Sequence, residues 1–152
     1  METGLIGGPQ KRRIEIHDYN PNWPQKFATH AWIIAGALGD SALRIEHIGS
    51  TSVPGLAAKP IIDILVVVQD SRDESTYLPQ LEAAGYVLRV REPDWNEHRM
   101  FRTPDRDVHV HVYSAGCPEI ERYLTFRDRL RRPVAASQSV ADGLDEQVAT
   151  RR

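Results

Sequence analysis

The chain has 152 residues, a formal net charge of −2 and one cysteine, with 41% hydrophobic and 26% charged residues. That length suits one ordinary domain with a real core, the slight acidity argues against nucleic acid as a partner, and Cys117 alone rules out an intramolecular disulfide framework. No apolar run approaches bilayer length and no signal-peptide segment opens the sequence, so a cytoplasmic protein with no membrane partner is expected.

Residues 1–13, rich in glycine at Gly4, Gly7 and Gly8, read as a flexible lead-in. Ile14-Glu15-Ile16 alternates like a short edge strand, and Asn20-Pro21-Asn22-Trp23-Pro24 makes a restricted turn into a helix running to about Leu38. Phe27, Ala31, Ile34 and Leu38 share one face of that helix, and Gly39 ends it. Trp23, Phe27 and Trp32 are assigned to the core.

Leu43–Ile48 reads as a strand entering a Gly49-Ser50 turn, and Pro60–Val68 as the strand that follows. A helix is expected from about Glu74 to Ala84, stopped by Gly85, then a strand over Tyr86–Val90 and a loop over Arg91–Asn96. Arg99–Arg102 and Asp107–Tyr113 form a hairpin closed at Thr103-Pro104-Asp105-Arg106. Glu119–Arg131 is the last helix, and residues 133–152 read as a weakly structured tail. The domain proper is therefore placed at 14–132.

Chemistry concentrates around the Pro60–Val68 strand. Asp63 is its only charge, set in an apolar, β-branched run that suits a strand covered on both faces, and a buried carboxylate needs a metal, a cation or several donors beside it. The preceding Gly49-Ser50 turn could aim backbone amides at phosphate oxygens. His109 and His111 alternate with Val108, Val110 and Val112, so the two imidazoles share one strand face. Lys59 is one of three lysines, with Lys11 and Lys26, and stands beside the key strand as either a phosphate contact or a solvated strand end. Of Glu46 and His47, one points into the core layer because strand neighbours face opposite ways.

The run from Ile45 to Leu65, containing His47-Ile48-Gly49-Ser50-Thr51-Ser52-Val53-Pro54-Gly55-Leu56 and Lys59-Pro60-Ile61-Ile62-Asp63-Ile64, resembles the signature of the GrpB family of the nucleotidyltransferase superfamily. Tyr19–Pro24, His98-Arg99-Met100-Phe101, His109-Val110-His111-Val112 and Phe126-Arg127-Asp128 extend the resemblance over roughly residues 14–132. The resemblance implies an α/β (α+β) fold, a nucleotidyltransferase-like mixed β-sheet flanked by helices. It implies phosphate binding at Gly49 and Ser50, a divalent metal ion (Mg, Mn or Zn) on Asp63, His109 and His111, Asp63 as the catalytic carboxylate, and substrate contacts from Lys59, His98, Arg99 and Arg127. The wider superfamily places two acids at alternate strand positions, whereas Ile61 and Leu65 flank Asp63 here. One carboxylate with two imidazoles suits Mn, Fe, Ni or Zn better than Mg.

The function so implied is binding of a nucleotide or phosphorylated small molecule with a divalent metal, with transfer of a nucleotidyl group. Two alternatives stand beside it: a non-catalytic nucleotide- or metabolite-binding module, and a metal-dependent hydrolase. Some GrpB-like domains are attached to dephospho-coenzyme A kinases, which implies association with coenzyme A biosynthesis enzymes. No kinase P-loop is present in this sequence.

Overall fold

The computed structural model describes Ile6 and residues 15–132, so the expected lead-in (Ile6 aside) and tail lie outside the described residues. Helix α1 spans Trp23–Leu38, with Pro24 in its first turn, where a missing N–H costs nothing. Strand β1 is Arg44–Ile48, and a short 3-10 turn, Ser50–Ser52, follows Gly49. Strand β2 is Ile62–Val68, α2 is Leu78–Ala83, β3 is Val87–Glu92, β4 is His98–Arg102, β5 is Val108–Ser114 and α3 is Pro118–Leu130.

The strands form one mixed sheet in the order β1-β2-β5-β4-β3. Only the β2–β5 pair is parallel; the other neighbours are antiparallel. Alternation then sorts the side chains. Ile62, Ile64, Val66 and Val68 join Val108, Val110 and Val112 against Trp23, Ile34 and Leu38 of α1 and Leu81 of α2. On the other face, Leu65, Val67, Ile48 and Tyr113 pack against Ile120 and Leu124 of α3. The sheet is thus flanked by helices on both faces, and β2 is covered twice, which is why its sequence is almost continuously apolar.

Several local expectations change. Glu15 and Ile16 belong to no strand, and the segment instead makes one bridge in which His17 and Ala58 exchange backbone hydrogen bonds of 2.8 and 2.9 Å. The helix expected from Glu74 is split: Glu74–Thr76 is a 3-10 turn, Tyr77 breaks the helical backbone with φ −145°, and α2 begins at Leu78. Pro79 enforces that break, because it can occupy the first turn of a helix but not its interior. Strand β3 runs through Arg91 and Glu92, which were expected in a loop. Trp32 is 79% exposed rather than in the core; two residues from Ile34 on a 3.6-residue repeat, it points away from the sheet. No helix among the described residues is long and apolar enough to cross a membrane.

Candidate metal centre

The parallel register sets Asp63 beside His109 and Leu65 beside His111. Because side chains alternate, Asp63, Leu65, His109 and His111 all project from the α3 side of the sheet. His111 Nε2 lies 3.1 Å from Asp63 Oδ1 and His109 Nδ1 lies 3.7 Å from the same oxygen. The three side chains are 17–27% exposed, so the cluster is sheltered yet open to a small ligand.

Antiparallel pairing brings the end of β1 to the start of β2, with Ile48 opposite Asp63. The next residue, Gly49, therefore lies against the Asp63 carboxylate: a Cβ at position 49 would stand 2.7 Å from Oδ2. Its φ of +76° independently favours glycine. Ser50 opens the 3-10 turn half-buried, and Thr51 anchors that turn by donating its hydroxyl to the Ile61 carbonyl at 3.0 Å. A hydroxyl has one proton, so the 3.0 Å contact between His47 Nε2 and Thr51 Oγ1 requires His47 to donate.

His47 is the neighbour that enters the core layer, stacked on Phe27 at 4.7 Å. Burial, then the positive charge of Arg131, lowers its pKa to about 4, against an opposing pull from Asp63. Glu46 faces the other way and receives hydrogen bonds from Arg44 Nε at 3.0 Å and Arg127 Nη1 at 2.8 Å. Burial opposes its ionisation, but these donors outweigh burial and hold the carboxyl below the usual range.

The other sequence-predicted residues separate. His98 joins the cluster: its Nε2 is 3.1 Å from His111 Nδ1 and its Nδ1 is 2.8 Å from Glu92 Oε1. Arg99, one residue on, faces the α1/α2 side, buried and bonded to Glu74 Oε2 at 2.9 Å and Glu97 Oε1 at 2.9 Å. Arg127 is buried between α3 and β1, where it also donates to the His47 carbonyl at 3.1 Å. Lys59 is exposed on the loop before β2 and makes no ion pair among the described residues. The sequence reading missed Arg102, whose register partner is His109, and Glu92. The signal for Arg102 was available: His98, Met100 and Arg102 are two apart on one strand and therefore share a face.

The donor set fits a divalent cation. Donor atoms around one tetrahedral zinc lie about 3.4 Å apart for bonds near 2.1 Å, and the two Asp63 separations, 3.1 and 3.7 Å, bracket that spacing. One potential ligand atom from each of Asp63, His109 and His111 falls within 4.8 Å of the other two. A proton count points the same way. Three contacts link Glu92, His98, His111 and Asp63 in series, and each needs one hydrogen between its atoms. Two neutral imidazoles carry only two. The third place must take an added proton or a cation, and a cation between His111 Nε2 and Asp63 satisfies the count.

Residues 13–142 match the family described as GrpB protein. A UPF0157 protein of Halalkalibacterium halodurans is 58% identical over 123 residues, covering 81% of this chain and 63% of the relative. The crystal structure of conserved protein GrpB from Enterococcus faecalis superposes with a TM-score of 0.71 at 39% identity, covering 80% of this chain and 74% of that one. A dephospho-CoA kinase of Mycolicibacterium paratuberculosis is 29% identical over 137 residues, covering 73% of this chain and 34% of the kinase. The chain thus spans less than two thirds of the length of the Halalkalibacterium relative. Its match along almost the whole sequence and its shared fold lead to one conclusion: the chain belongs to the GrpB family.

Proposed function

We propose that this protein binds a divalent metal through Asp63, His109 and His111 and, beside it, a nucleotide or other phosphorylated small molecule, and in the cytoplasm transfers a nucleotidyl group from the bound nucleotide to an acceptor, the nucleotide's remaining phosphates leaving. The observation that carries this reading is the convergence of those three donors with the Gly49 backbone pressed against Asp63. Bound there, a divalent ion supplies Lewis-acid charge to phosphoryl oxygens. Gly49 and Ser50 offer backbone amides to a phosphate, and the turn that carries them is held in place by Thr51. Arg102, the register partner of His109 on β4, supplies a cation on the face of the site, and Arg99, on the opposite face, is bound to Glu74 and Glu97 and leaves the list of substrate contacts. Lys59, exposed on the loop before β2, is the second cation assigned to the bound anion in this reading. The two-nitrogen, one-oxygen donor set favours Mn or Zn over Mg.

The deciding experiment compares thermal unfolding of wild type and Asp63→Asn across nucleotides with Mg, Mn or Zn. A metal-dependent nucleotide shift that disappears in the variant supports the reading, because a ligand of the folded state raises apparent stability. A shift with metal alone moves the assignment to a metal-dependent hydrolase, recognised by phosphate release without an acceptor. A non-catalytic module is the second reading, favoured by the absence of a second carboxylate at Leu65 and by the similarity to part of a dephospho-CoA kinase. It makes association with coenzyme A biosynthesis enzymes the expected context, and nucleotide binding without product formation would select it.

A further inference from the structure

His98 carries more structure than a substrate contact requires. It is 7% exposed, and its ring lies between neighbours: stacked on Tyr113 at 4.9 Å, edge to edge with the nearly parallel His111 ring at 5.3 Å between centroids, and with Trp95 edge-on at 5.6 Å. A ring so enclosed offers little surface to a ligand arriving from solvent. Both of its nitrogens are engaged within the protein, Nδ1 by Glu92 at 2.8 Å and Nε2 by His111 Nδ1 at 3.1 Å. The β3–β4 register explains the first contact, since Glu92 and His98 are cross-strand partners at the hairpin end.

We propose that Glu92 and His98 are positioning residues for the metal centre, holding the His111 ring with Nδ1–H donated to His98 and Nε2 directed at a cation beside Asp63. The inference rests on the metal site proposed above and adds the residues that orient one of its ligands. In the metal-loaded protein Glu92 accepts from His98 Nδ1–H, which leaves His98 Nε2 as an acceptor. That acceptor selects the one His111 tautomer whose Nε2 lone pair is open to metal. A carboxylate acting through a second group in this way both fixes the ligand's tautomer and raises its basicity. Tyr113, stacked on the His98 ring at 4.9 Å, keeps the imidazole from turning out of line.

The test is metal titration of full-length wild type, His98→Phe, Glu92→Gln and Glu92→Leu by calorimetry with Zn, joined to 15N NMR of the zinc-loaded imidazoles. Phenylalanine at 98 keeps the stacking and removes the nitrogens, so affinity should fall about 10–100-fold. Glu92→Leu, on a side chain 34% exposed, should fall similarly without a folding defect. Glu92→Gln keeps an accepting oxygen and should retain most of the affinity. Wild type should show a slowly exchanging His111 Nδ1–H signal that sharpens on zinc binding and is lost in His98→Phe. Zinc affinity equal to wild type in both His98→Phe and Glu92→Leu would overturn the positioning role while leaving the metal site standing. A wild type with no zinc affinity would overturn the metal site itself, and the inference with it.

Discussion

Gly49 touches the Asp63 carboxylate across the β1–β2 edge, leaving no room for a side chain: a Cβ at 49 would come within 2.7 Å of Oδ2 and 3.1 Å of the Asp63 Cβ. Position 49 also has φ +76° with ψ −177°, a region essentially reserved for glycine, which costs an alanine roughly 1–3 kcal/mol before any clash. Gly49→Ala should therefore lower thermal stability modestly and zinc or manganese affinity more than about tenfold, because the carboxylate must move. Calorimetric titration beside a melting curve checks both.

Asp63→Asn keeps the size of the side chain and removes its charge. The side chain is 27% exposed and is not part of either apolar cluster, so the fold should survive. Metal affinity should drop by about two orders of magnitude or more, since the only carboxylate of the trio is gone. Circular dichroism and metal titration on the same preparation separate the two effects.

His47 makes stability depend on pH. Its ordinary pKa is 6.5 and the folded value is about 4, so between those values the unfolded chain binds a proton that the folded chain rejects. Stability is then fully present above pH 6.5 and is lost as pH falls toward 4, by roughly 3 kcal/mol for this group. Urea denaturation from pH 8 to pH 4 should show this loss, and His47→Gln should flatten it, because glutamine donates to Thr51 without titrating.

Arg127 ties α3 to β1 through Glu46 Oε1 at 2.8 Å and the His47 carbonyl at 3.1 Å. Arg127→Met should destabilise by about 2 kcal/mol in urea denaturation, less than a fully buried pair would because Glu46 is 27% exposed. Lysine cannot reproduce the fork, so Arg127→Lys should recover only part of the loss.

Adjacent residues His98 and Arg99 face opposite sides of β4, which separates their roles. Arg99→Met should destabilise the Glu74 and Glu97 network yet leave zinc affinity within about twofold of wild type. An equal loss of affinity in Arg99→Met and His98→Phe would contradict the division of β4 into a site face and a core face.

Much of the centre was readable from local pattern. Asp63 stood out because a charge in an apolar strand demands partners, and His109 and His111 because a period of two puts them on one side. The Gly49-Ser50 turn was legible as a turn, but its contact with Asp63 was not, since that depends on β1 pairing antiparallel to β2. Trp32 lies outside the core because helical phase, not aromatic size, decides which side of α1 meets the sheet. The resemblance implies one role for His98 and Arg99 together, whereas adjacency on a strand puts them on opposite faces. Glu92 was read as loop, and only the β3–β4 register makes it the partner of His98.

The sequence by itself determined the family, the covered strand with its lone carboxylate and the shared face of the two histidines, because these are local periodicities with side-chain chemistry attached. Only the tertiary structure decided which strand lies beside β2 and in what register, and hence that Asp63 meets His109 and His111 rather than an arginine. Strand order and register are set by long-range packing of the α1/α2 and α3 layers on the sheet, which no window of neighbouring residues contains.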